Sequence, residues 1–187
     1  MINQVIAIIG ASENKGVALA KILAKVKMHL LLVVTNSHEL SALANEIKTE
    51  HPDTDMEIVS CPVDASWEAD IIVLAISYQA ENKILSQIKA VSTQKIVITL
   101  SNQVNKANGS LSGEAENSSG EELQKILPYS KVIQVFNTAL AAGFSQPSGV
   151  NQAADVFITG NDKEALQTVS KLIKLAGFNP IIAGDIS

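Results

Sequence analysis

Residues 5–16 constrain this chain more than any other stretch. Val5-Ile6-Ala7-Ile8-Ile9 is an unbroken apolar run. Gly10-Ala11-Ser12-Glu13-Asn14-Lys15-Gly16 follows at once, and Val17, Ala20, Leu23 and Ala24 then recur at helical spacing. A short, wholly apolar run bounded by glycine reads as a strand buried on both faces, since a strand with one wet face alternates instead. Strand, Gly-containing loop and helix is the order in which turn amides and the positive end of a helix can face a pyrophosphate.

The spacing departs from the common G-x-G-x-x-G fingerprint. Counted from Gly10, Ser12 and Lys15 stand where the second and third glycines would be, and the pattern is G-x-S-x-x-x-G, one residue longer. Gly10 can still make the tight turn, and Gly16 can still let helix and strand pack closely. Ser12 can offer its hydroxyl to a phosphate, and Lys15 can add charge. The same pattern also fits an ordinary strand-to-helix turn with no ligand.

The rest of the chain repeats the alternation. Further strands are expected at Leu30–Val34, Met56–Val59, Ile71–Ile76, Ile96–Leu100, Lys131–Val135, Val156–Gly160 and Asn179–Ala183. Apolar stripes mark helices at Leu40, Leu43, Ala44 and Ile47, at Ile84, Leu85, Ile88 and Val91, at Leu123, Ile126 and Leu127, and at Leu166, Val169, Leu172 and Ile173. Asn36 with Glu39, Ser119 with Glu122, and Asn161 with Glu164 have the spacing of capping boxes, and Gly177 closes the last helix. A short helix over Pro62–Ala69 is expected to carry Trp67 toward the core. These elements predict an α/β fold of Rossmann type, doubly wound, with a mostly parallel sheet of about eight strands and helices on both faces. Residues 1–187 are expected to form one dinucleotide-binding domain. The stretch 101–120 is rich in Asn, Ser and Gly, and reads equally as a mobile lid or as a surface insertion.

Composition narrows the partners. A net charge of −5 without a basic block argues against nucleic acid. Cys61 is the single cysteine, and His29, His38 and His51 share no ligand spacing, so no metal site is expected. The longest purely apolar run, Ile71 to Ile76, is far too short to cross a bilayer, and a cytoplasmic protein is expected.

In such a fold the ligand lies over the carboxyl ends of the strands, where the first and fourth part company. The candidates are therefore the Gly10–Gly16 loop, Thr35-Asn36-Ser37, Ile76-Ser77-Tyr78, Ser101-Asn102 and Phe136-Asn137-Thr138. The end of the second strand selects the ribose: an acidic residue suits NAD, an Arg suits NADP. Thr35, Asn36 and Ser37 are neither; they are small neutral donors that suit a phosphate, and His38 and Lys15 could add charge. NADP is favoured, with NAD possible, and Asn36 also serves as a plain helix cap. No catalytic residue can be named. Tyr78 and Lys83 are five apart, and no Ser elbow or His–carboxylate cluster is present. Hydride transfer between two bound cofactors needs alignment more than acid–base groups, and suits that absence.

These residues resemble the family of NADPH-dependent reductases of the deazaflavin coenzyme F420. The Gly10–Gly16 loop is similar to that family's longer Gly-rich form, with Glu13 where a glycine is usual. Val132–Thr138 is similar to its strand ending in Phe-Asn-Thr, and Val156–Asp162 and Gly177-Phe178-Asn179-Pro180 with Gly184 follow in the right order. The resemblance implies Ser12, Asn14 and Lys15 at the phosphates. It implies Thr35, Asn36 and Ser37 at the adenosine ribose, and Ile76, Ser77, Asn102, Asn137, Thr138 and Ala139 around the nicotinamide. It further implies hydride transfer between NADPH and a small-molecule acceptor, a flavin, a deazaflavin or a relative, and a homodimer whose contact involves the final strand and residues 139–150. A monomer and a non-catalytic dinucleotide binder, either a redox sensor or a subunit of a larger reductase, are the alternatives. Asn36-Ser37 replaces the family's usual Ser-Arg, and Ser77 a usual Pro. The family continues past the Gly184 motif into helices, whereas this sequence stops at Ser187.

Overall fold

The computed structural model describes residues 4–34, 37–76, 78–100, 119–135 and 153–186, and of residues 37–41 and 78–81 the backbone alone. Eight strands form one sheet: β1 (Val5–Ile9), β2 (His29–Val33), β3 (Met56–Val59), β4 (Ile71–Leu74), β5 (Ile96–Thr99), β6 (Lys131–Val135), β7 (Asp155–Gly160) and β8 (Asn179–Gly184). Their order is β3-β2-β1-β4-β5-β6-β7-β8. Every neighbouring pair is parallel except β6 with β7, which is antiparallel. The chain thus builds outward from β1 through β2 to β3, then returns to β4 on the other flank of β1. That reversal is the switch point at which open sheets of this class hold ligands.

Strand pleating divides the apolar side chains between two layers. Ile6, Ile8, Leu30, Leu32, Ile71, Val73, Ile98 and Ile133 point to one side. There they meet α1 (Asn14–Leu23), α2 (Ser37–Glu50) and a helix numbered here α6 (Lys163–Leu175). Ala7, Ile9, Leu31, Ile72, Leu74, Val97 and Val132 point to the other side, against α3 (Pro62–Glu68), α4 (Tyr78–Ile88) and α5 (Ser119–Ile126). Both faces of the central strands are covered, which is why those strands read as continuous apolar runs and not as alternating ones.

Some details depart from the sequence expectation. The fourth strand leaves the ladder after Leu74, because its partner β1 ends at Ile9 and turns at Gly10. Trp67 is 73% exposed: the short α3 presents Ala65 and Ser66 to the sheet, and the indole falls on the outer side. The last helix is capped one residue later than expected. Asp162 Oδ1 accepts the Ala165 amide at 2.8 Å, while Asn161 Oδ1 accepts the amide of Ile186 at 3.1 Å and so ties the end of the chain to α6. Gly177, with φ of +91°, follows that helix in the left-handed region. Of residues 101–120, only Ser119 and Gly120 are described, and both belong to α5.

Candidate nucleotide-binding site

The turn between β1 and α1 is built from backbone. Gly10 has φ of +89°, a conformation that a side chain resists. Its amide and that of Ala11 both donate to the Val33 carbonyl at 3.1 Å, which pins the turn to the end of β2. A Cβ on Gly10 would lie 2.4 Å from Ile76 Cγ2. The constraint on Gly16 is stronger. A Cβ there would lie 2.0 Å from the Gly10 carbonyl oxygen and 2.8 Å from Ala11 Cα. Helix and turn are therefore in contact through bare backbone, and the first turn of α1 is drawn down onto the carboxyl end of β1.

That approach exposes donors. Glu13 caps α1 with extended dihedrals and makes no side-chain capping bond. The amides of Asn14, Lys15 and Gly16 open the helix, at positions with no carbonyl one turn earlier. A glycine cradle under a helix N-terminus is a fit for a pyrophosphate, by amide donation and by the helix dipole. Ser12 is half-buried beside it, and Glu13 and Asn14 are exposed. Glu13 is the one element of the turn that opposes an anion.

Lys15 does not reach toward the second strand. Its ammonium donates to the Leu100 carbonyl at 3.1 Å, at the carboxyl end of β5. The side chain thus spans from α1 past the end of β4, on the flank of β1 opposite β2. This contact holds the ammonium away from the end of β2, where the adenosine ribose is expected. Ile76, buried just past the end of β4, covers the turn at Gly10.

The structure brings Gly10, Ser12, Glu13, Asn14, Lys15, Gly16 and Ile76 together at the switch point. Ser37 and Tyr78 begin α2 and α4, at the carboxyl ends of β2 and β4, with backbone alone described. Thr35, Asn36, Ser77, Asn102, Asn137, Thr138 and Ala139 lie outside the described residues. Among the described residues no group of three or more His, Cys, Asp or Glu side chains could hold a metal ion. No helix among them is long and apolar enough to cross a membrane.

Sequence reasoning missed a buried polar row near the carboxyl ends of the central strands. Thr99, Gln134 and Thr159 are register partners across β5, β6 and β7. All three are buried, as is Ser119 at the start of α5, whose Oγ accepts from Gln134 Nε2 at 3.0 Å. The row ties α5 to the strand that leads into Phe136-Asn137-Thr138. Its signal was present in the sequence, as a glutamine inside the apolar run Lys131–Val135.

A family model described as NADP oxidoreductase, coenzyme F420-dependent, matches residues 5–103. The chain belongs to this family. Over 97% of its length it is 26% identical to the F420-dependent NADP reductase of Methanocaldococcus jannaschii, of which the alignment covers 84%. Solved structures share the fold. One from Arthrobacter sp. FB24, described as a candidate F420-dependent NADP reductase, superposes with a TM-score of 0.78 at 23% identity, covering 97% of this chain and 85% of that one. The fold extends to more distant enzymes. Pyrroline carboxylate reductase of Plasmodium falciparum, solved with NADP bound, gives a TM-score of 0.65 at 17% identity over 97% of this chain and 59% of that one.

Proposed function

We propose that this chain binds NADP(H) across the carboxyl ends of β1 and β4, and that it passes a hydride between that nucleotide and a flavin, a deazaflavin or a related acceptor. The observation that carries the reading is the side-chain-free contact of Gly16 with the Gly10 carbonyl, which leaves the amide-lined end of α1 open to an anion. In this reading Gly10, Ser12, Asn14 and Gly16 hold the pyrophosphate. Thr35, Asn36 and Ser37 take the adenosine ribose and its phosphate. Ile76, Ser77, Tyr78, Asn102, Asn137, Thr138 and Ala139 line the nicotinamide end.

Bound NADPH supplies the hydride, which carries both electrons, and a solvent proton completes reduction of the acceptor. The work left to the protein is to orient two flat rings and to exclude water between them. Titration of the chain with NADPH and NADH, followed by multiple-turnover assays with FMN and with coenzyme F420, tests this reading. NADPH binding at least as tight as NADH, with turnover on either acceptor, is the expected result. Binding without turnover on any acceptor makes the chain a nucleotide-binding subunit or sensor instead. Tighter NADH binding overturns the choice of nucleotide, and Asn36→Asp is expected to move the preference that way by setting a carboxylate against the phosphate.

We further propose a single domain that forms a homodimer through its β8 edge. Phe157 on β7 and Ile182 on β8 are 41% and 54% exposed at that end of the sheet, where a second copy would cover them. Light scattering gives twice the 19.8 kDa chain mass if this holds. A single-chain mass at all concentrations overturns it.

A further inference from the structure

Lys15 reaches across the carboxyl end of β4 to β5. A dinucleotide whose pyrophosphate sits on the β1–α1 turn has its adenosine half over β2, so its nicotinamide half extends over β4 and β5. Neighbouring strands are about 4.8 Å apart, which puts the end of β5 roughly 10 Å from β1 on that side. The Lys15 ammonium, held at 3.1 Å by the Leu100 carbonyl, stands on this side and not beside the adenosine.

We propose that Lys15 sets the redox-state preference of the site, favouring the reduced nucleotide over the oxidised one. The inference rests on the nucleotide-binding reading above. The two forms carry the same phosphates and differ in one place: the oxidised nicotinamide ring bears a positive charge and the dihydro ring is neutral. An ammonium on the nicotinamide side repels the first and tolerates the second. The net charge of the chain, −5, acts in the opposite direction, because it favours the less negative oxidised form. A preference for NADPH therefore runs against the overall field, and the dependence of that preference on Lys15 is what marks a local cation. A unit charge at this remove in a partly wet cleft changes the affinity ratio by about three- to tenfold. That equals ~15–30 mV on a two-electron couple. The consequence for turnover is tight capture of NADPH and easier release of NADP+.

The test is calorimetric titration of the parent chain, Lys15→Gln and Lys15→Arg with NADPH and with NADP+. The parent binds NADPH more tightly, Lys15→Gln narrows the ratio by about three- to tenfold, and Lys15→Arg retains it. The same preference in the parent declines as salt is raised, since screening removes the ammonium's effect; this measurement decides the matter if the Gln variant does not fold. Equal weakening of both nucleotides by Lys15→Gln would show a phosphate contact and overturn the inference. An unchanged ratio overturns it too, while leaving the nucleotide site standing. Failure of the parent to bind either nucleotide would remove the site reading itself, and this inference with it.

Discussion

Two regions of the molecule use glycine for different physical reasons. In the β1–α1 turn, a Cβ on Gly16 would meet backbone at 2.0 Å, and a Cβ on Gly10 would meet Ile76 at 2.4 Å. In the β7–α6–β8 unit, Gly177 and Gly184 also have positive φ, yet nothing lies within 4 Å of a Cβ at either. The first pair keeps space clear for close approach; the second pair supplies only a backbone conformation. A region whose geometry depends on excluded atoms is rigid and intolerant. A region whose geometry depends on dihedral preference alone gives way at modest cost. The candidate site lies in the first, and the sheet edge in the second.

The largest expected effect breaks the first region. Gly16→Ala drives a methyl into the Gly10 carbonyl, and neither partner is a flexible side chain, so helix and turn must separate. A loss of about 3 kcal/mol or more is expected, together with loss of nucleotide binding. Gly16→Val is expected to abolish binding or folding outright. Thermal unfolding and NADPH titration measure both, and a variant that folds and binds like the parent would refute the close-contact account. The counterpart is Gly177→Ala, where only left-handed strain opposes the methyl. It is expected to cost about 1–2 kcal/mol and to leave nucleotide affinity unchanged; a larger loss would erase the contrast.

A third variant tests the capping of the edge unit. Asp162→Ala removes the bond to the Ala165 amide and is expected to cost about 1 kcal/mol by denaturant unfolding. Unchanged stability in Asp162→Ala would refute that cap. The smallest effect concerns the anion fit of the turn. Glu13 is exposed, so Glu13→Gln is expected to leave stability within about 0.5 kcal/mol. It is also expected to tighten NADPH binding by about two- to fivefold, through removal of a carboxylate from the helix N-terminus. Weaker binding in this variant would place the pyrophosphate elsewhere.

Much of this was legible in the sequence. The central strands appear as apolar runs because both of their faces are buried, and burial on both faces erases polar alternation; the outer strands β3 and β8 are largely exposed and carry a weaker signal. Gly10 and Gly16 stood out because only the absence of a side chain explains glycine at those two points between a strand and a helix. What was misjudged depended on single-residue phase. Trp67 looked like core by its size, but a seven-residue helix has one buried face, and Ala65 and Ser66 occupy it. Asn161 and Asp162 are both competent caps for α6, and spacing to Glu164 favours Asn161, whereas Asp162 makes the capping bond. In the fold, Asn161 is engaged by the Ile186 amide.

The sequence by itself determined the alternation of strand and helix, the backbone-lined turn and the family, since each is written in neighbouring residues. Only the tertiary structure decided how the far end of the sheet pairs and where individual long side chains reach. β7 runs against β6, and Lys15 ends at a carbonyl 85 positions away in sequence. Likewise Gln134 forms a buried polar row with Thr99 and Thr159 only because three distant segments share one register. The physical reason is the same in each case. Periodicity and side-chain size act within a turn or a strand, whereas pairing between segments is settled by which apolar faces can be buried together.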